Sequence, residues 1–241
     1  MTHPDVPALF DLLDHWRHLP SYRLEARADI VFGLFLPDVL GRHLAPRGIA
    51  VDPRIIPEFP LGQIGTKRSD KVDFFAVSRD RKHAFLVELK TDMSSLRGGQ
   101  EVYLKRAVER GLGALLCDIV SMAKTANARA RRKYFHLLQS VAALDLVTLP
   151  PELEKRIYDR PRGICGCIER IAIPVALPKI AVIHVLPKKV EATEGMDCIY
   201  FESFAAVVEN RGEFGKRFAE SLREWACVEA GHRRRERPAS R

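Results

Sequence analysis

A chain of 241 residues, 46% of them hydrophobic, is long enough to bury a sizeable core and falls between one large domain and two small ones. It holds no run of about eighteen or more apolar residues, which excludes a membrane-spanning helix, and Asp5 and Asp11 interrupt the apolar N-terminus in a way unlike a secretion signal, so a cytoplasmic location is expected. Lys and Arg number 39 against 31 Asp and Glu, a net charge of +8, and a net positive surface attracts phosphates at long range.

From the N-terminus, residues 22–36 read as a helix with Ile30, Val31, Leu34 and Phe35 on its buried side and a break or kink at Pro37. Glu25 and Asp29 lie one turn apart on it and share a face, so either acid can reach a site there, or both can be solvated. Residues 55–61 read as a strand. Two apolar runs follow, 71–77 and 84–90, joined by a polar segment that predicts a hairpin. A helix opens near Gln100 and extends to about residue 128, and another covers 129–146. Leu149-Pro150-Pro151 is the clearest internal break, and 161–166 is a second loop-like stretch. A strand over 179–186 is bounded by Pro178 and Pro187, residues 198–201 add a short one, and a long helix spans roughly 204–226. No repeat or low-complexity segment interrupts the chain. The elements predict an α/β fold, a mixed central β-sheet flanked by helices on both faces, in a single domain over 1–241 with a basic, disordered tail at 230–241.

Both apolar runs of the hairpin carry charges, and a charge taken out of water costs several kcal/mol unless it is paired or binds a metal. A turn centred between Asp80 and Arg81 makes the numbers of opposed residues sum to 161, which sets Asp73 across from Glu88. Side chains alternate along a strand, so Lys90 shares the face of Glu88 while Leu89 points away. Two carboxylates beside an ammonium suit a hard divalent cation, magnesium or manganese in its place, whose shell is completed by water and substrate phosphate. Such a cation lowers the pKa of a bound water and neutralises phosphate charge, and Lys90 is placed to hold that water or the developing anion. On an exposed sheet the same residues would be a plain ion pair, but strands this apolar on both faces argue for a cleft.

Asp73, fourteen intervening residues and then Glu88-Leu89-Lys90 resemble the signature of the PD-(D/E)XK nuclease superfamily. The resemblance covers about residues 20–125, in the order helix, three strands, helix. It implies a restriction-endonuclease-like αβββαβ core, completed by elements between 178 and 226. It further implies that Asp73, Glu88 and, on the first core helix, Glu25 bind the metal, and that Lys90 is the motif lysine. Gln100 with Tyr103 resembles a glutamine and tyrosine pair of one branch, separated here by two residues where that branch has three. Gln100 equally suits a helix N-terminus after Gly98-Gly99. The motif's leading proline is absent, since Lys71-Val72 precedes Asp73.

Charge adds weight to nucleic acid, expected to be DNA, as the partner. Lys67, Arg68 and Lys71 lie beside the candidate site, in and after the segment 62–70, while Arg129, Arg131, Arg132 and Lys133 form a second basic group. Gly62-Gln63-Ile64-Gly65-Thr66-Lys67 lacks the glycine spacing of a phosphate-binding loop. Five cysteines, Cys117, Cys165, Cys167, Cys198 and Cys227, follow no disulfide or zinc-ribbon spacing, and Cys165-Gly166-Cys167 alone falls short of four cluster ligands, so no iron-sulfur cluster is expected. The reading is a magnesium-dependent nuclease hydrolysing phosphodiester bonds in DNA, compatible with a homodimer because duplex cleavage calls for one site per strand. Two alternatives stand beside it: a nuclease-like module that binds nucleic acid or a protein without cutting, and a small-molecule phosphodiesterase.

Overall fold

In a computed structural model that describes residues 6–19, 23–62, 70–93, 98–158 and 163–227, the polar segment after β2 (Lys71–Val77) turns the expected hairpin into β3 (His83–Leu89). Ser78 N–H donates to His83 C=O at 2.8 Å, and Arg81 takes φ 58° at the turn. The pairs Val77↔Ala84 through Phe74↔Val87 follow the register read from the sequence. With β1 (Ile56–Pro60), β4 (Lys179–Leu186) and β5 (Cys198–Tyr200), these strands form one mixed five-stranded sheet in the order β1-β2-β3-β4-β5. The β1–β2 and β2–β3 pairs are antiparallel and the β4–β5 pair is parallel. The chain is thus an α/β protein. Its contacts gather into two compact units, one of Met1–Gly48, Glu88–Arg97 and Ile183–Arg241, the other of Ile49–Val87 and Gly98–Val182.

The first unit contains α1 (Val6–Trp16), α2 (Glu25–Leu44), α7 (Phe201–Val208) and α8 (Gly212–Cys227), with the C-terminal end of β4 and all of β5. Its centre is aromatic: Phe32 is fully buried with Phe204 and Phe218 edge-on at 5.2 Å and Trp225 at 6.3 Å. Asp14 accepts from Trp225 Nε1 and from Arg217, tying α1 to α8.

Two helix boundaries in this unit differ from the sequence reading. Helix α2 continues through Pro37, because proline removes one backbone donor while the turns beyond it bury Val39, Leu40 and Leu44. Its buried stripe is Ala28, Val31, Phe32, Phe35 and Leu36, and Ile30 and Leu34 are 78% and 64% exposed. The stripe that holds Phe32 took the core, since an aromatic side chain buries more apolar surface than Ile or Leu. Tyr22 lies outside the described residues. The single helix expected over 204–226 is two, α7 and α8, parted at Gly212, whose φ of 75° favours glycine. The hairpin closes so tightly that a Cβ on Gly215 would stand 2.2 Å from Val208 C=O.

The second unit contains β1, β2, most of β3, the start of β4, and the helices α3 (Gly98–Thr125), α4 (Ala128–Ala143), α5 (Leu153–Tyr158) and α6 (Ile164–Ile168). Phe59 and Phe75 stack at 4.3 Å in a core shared with Leu86, Leu115, Ile119 and Leu138. Helix α3 is kinked at Gly111, in a conformation (φ 75°, ψ 162°) open essentially to glycine alone. Helix α4 is capped by the Asn127 side chain on Ala130 N–H, and Arg131 donates to the carbonyls of Ala123, Lys124 and Ala126 at the end of α3. Part of the basic group at 129–133 is therefore spent on a helix terminus. The loop expected at 161–166 gives way to α6 from Ile164, opened by Gly163 at φ 74°. The tail at 230–241 lies outside the described residues.

At the sheet edge, β1 contains Pro57 and Pro60, which lack the N–H a central strand needs. Between the pairs Pro57↔Phe74 and Phe59↔Val72, Glu58 takes φ 51°, in the left-handed region that costs a non-glycine residue about 1–2 kcal/mol. Ile56 and Phe59 both enter the core, as do Val72 and Phe75, so each strand breaks its alternation once, at Glu58 and at Asp73–Phe74.

Candidate active site

The C-terminal end of β3 meets the first turn of α2 within the first unit. Lys90 N–H donates to Val185 C=O at 2.9 Å, which holds the residue after β3 against the end of β4. From there the Lys90 ammonium turns back onto its own strand: Nζ donates to Leu89 C=O at 2.9 Å and is 2.7 Å from Glu88 Oε1. Glu88 and Lys90 thus share a face, as residues two apart on a strand should. Both are 3% exposed.

A second carboxylate comes from the opening turn of α2. Glu25 Oε1 lies 3.7 Å from Lys90 Nζ, and the Thr91 backbone N–H also donates to Glu25. The net effect of its surroundings lifts the Glu25 pKa above the ordinary value. Burial makes the largest contribution; the Lys90 charge opposes it, and the like charge of Glu88 reinforces it. Asp29, the other acid on that face, accepts instead from Ile30 N–H at 2.6 Å. The structure therefore brings Glu25, Glu88 and Lys90 together in one unit, on the three elements α2, β3 and the turn after β3.

Asp73 belongs to the second unit. It is half-buried on β2, next to Phe74, the residue that pairs with Val87. Lys71, two residues earlier, is ion-paired with Glu58 Oε2 at 2.8 Å, both side chains more than half exposed. Gln100 lies in the first turn of α3, and Tyr103 is partly buried against the core of the second unit. Lys67 and Arg68 lie outside the described residues. Sequence reasoning passed over Glu58 and Thr91; a charged residue between Pro57 and Pro60 in an apolar strand was the available signal for the first.

Among the described residues, no group of three or more His, Cys, Asp and Glu side chains is arranged to hold a metal ion. The donors in the first unit are two carboxylates, and all-oxygen sets of one or two carboxylates with water and phosphate are what magnesium takes. Glu25 and Glu88 are oxygen donors of that chemical kind. The five cysteines carry free thiols; Cys165 is exposed and Cys167 buried, although only one residue separates them. His184 is buried on β4 in register with Cys198 of β5.

Compared with protein-family models, with curated proteins and with solved structures, the chain matches none.

Proposed function

We propose that this protein is a magnesium-dependent nuclease that hydrolyses phosphodiester bonds in DNA. Its fold would be the restriction-endonuclease-like αβββαβ core, formed by α2, β1, β2, β3, α3 and β4 with helices on both faces of the sheet. The observation that carries the reading is the buried Lys90 ammonium held by Glu88, with the raised-pKa carboxylate of Glu25 beside it. A structural ion pair needs one carboxylate. A second one, burdened by burial and by a like charge, works against stability, and perturbed carboxylates of this kind concentrate at functional sites.

In this reading Glu25 and Glu88 hold the cation, and Asp73 joins them on the strength of the sequence motif. Magnesium, when bound, lowers the pKa of a water and neutralises charge on the scissile phosphate. An ammonium has three N–H donors. Were Glu25 to hold a bound cation instead of Lys90, one of those donors would be available for the attacking water or for a phosphoryl oxygen as charge develops on it. The net charge of +8 raises the local concentration of DNA by long-range attraction.

One observation favours a second reading. Lys90 already has carboxylate partners on two sides, which satisfies its buried charge without a metal, and such a triad would serve equally in a nuclease-like module that binds nucleic acid without cutting. The two separate on incubation of wild type and Lys90→Met with single-stranded, duplex and branched DNA, in magnesium, manganese or chelator, with Tm measured beside each. Cleavage by wild type that chelator abolishes, falling by about 100-fold or more in a folded Lys90→Met, is the expected result. Intact DNA binding with no cleavage by wild type on any substrate would replace the nuclease with the non-cutting module.

A further inference from the structure

Glu58 is the one described residue of β1 whose side chain carries a charge, and it sits in a backbone conformation that a glycine or asparagine would occupy at lower cost. The flip in β1 that sends Phe59 into the core calls for the positive φ, yet it does not call for a carboxylate. What the carboxylate does is visible in the structure: it accepts from Lys71 Nζ at 2.8 Å, at the solvent edge of the sheet. The register places Glu58 opposite Asp73, between the pairs Pro57↔Phe74 and Phe59↔Val72, and Lys71 opposite Pro60. An acidic side chain therefore covers a cation two residues from Asp73.

We propose that the Glu58 carboxylate stands in for a nucleic-acid phosphate on Lys71, and that an incoming phosphodiester displaces it. The inference rests on the nuclease reading and deepens it by assigning a phosphate subsite beside Asp73, together with the group that guards it. A carboxylate and a phosphodiester each offer anionic oxygens to an ammonium, and the exposed pair is loose enough to open, since exposed ion pairs are worth little. Glu58 is a residue that tunes specificity through Lys71. Weakly basic or uncharged ligands have no means of displacing it, whereas a strand of phosphates approaches with the whole field of the basic protein behind it. The positive φ of 51° at Glu58 is a backbone outlier of the kind that clusters at functional sites.

The test is duplex DNA binding by fluorescence anisotropy over a series of KCl concentrations, in chelator so that no strand is cut, with wild type, Glu58→Gln, Lys71→Ala and the double variant. Glu58→Gln keeps the size of the side chain and removes its charge, and Glu58→Gly removes the backbone strain as well, so a poorly folded variant does not account for a gain. Glu58→Gln is expected to bind about two- to fivefold tighter than wild type at low salt, with a dependence of log K on log salt steeper by about one phosphate contact. The gain should vanish in the double variant, which should match Lys71→Ala. DNA binding by wild type that Glu58→Gln leaves unchanged, or a gain that survives Lys71→Ala, overturns the subsite and leaves the nuclease reading in place. Failure of wild type and all variants to bind any DNA overturns both.

Discussion

Glu25 is the residue at which stability and chemistry pull apart. Burial first, and then the like charge of Glu88, raise its pKa above the ordinary 4.5 in spite of Lys90, so the folded protein binds that proton more tightly than the unfolded chain does. A raised carboxyl contributes stability that is fully present in acid, below the ordinary value, and is lost as pH rises from there through the folded value. Glu25→Gln, which has no charge to bury, should therefore show a higher Tm than wild type at pH 7, and the difference should shrink toward pH 4. Scanning fluorimetry across that range checks it, and a variant less stable at pH 7 than at pH 4 relative to wild type would remove the burial argument. If Glu25 binds the cation, the same variant is stabler and less active. The positions of Glu88 and Lys90 were legible because a charge inside an apolar strand is conspicuous and the period of two assigns it a face. Glu25 and Asp29 were not separable by periodicity, since residues four apart share a helical face, and only the turn after β3 distinguishes them. Glu58 escaped notice because its meaning depends on a left-handed backbone and on a cross-strand partner.

Elements were read most faithfully where local pattern decides them. The strands β2, β3 and β4 are short, apolar and bounded by turn residues or proline, and their ends fall within a residue of expectation. Helices were harder, because tertiary burial carried α2 past Pro37 and a glycine turn divided the last helix into α7 and α8. Two glycines test that account with opposite signs. Gly215→Ala forces a Cβ toward the Val208 carbonyl, a backbone atom that has no room to withdraw, and should cost about 1–3 kcal/mol. Gly41→Ala, within α2 where nothing lies within 4 Å of the added carbon, should instead stabilise by about 0.5–1 kcal/mol through the lost flexibility of the unfolded chain. Urea titrations of both variants measure the two values. Equal tolerance of both substitutions would mean that α7 and α8 are not closed as tightly as described.

Taken whole, the molecule is woven from discontinuous segments. Strand β3 passes from the second unit to the first after Val87, and β4 does so after Val182, in each case without leaving the strand. Melting either unit thus unravels a strand that the other shares, so a single cooperative transition is expected. The two tryptophans, Trp16 and Trp225, both belong to the first unit and report on it alone, while far-ultraviolet circular dichroism reports on both. Coincident melting curves support the shared strands, and a tryptophan transition displaced by several degrees would show that the units unfold separately. This partition was invisible in the sequence, because the grouping of 1–48 with 88–97 and 183–241 is a matter of long-range contact, which no local pattern encodes. The same sheet has a further property by virtue of its first strand. With proline at two of the five positions of β1, its outer border offers neighbouring chains an interrupted row of donors, a poor template for cross-β growth, so concentrated solutions of the folded protein should resist fibril formation from that side.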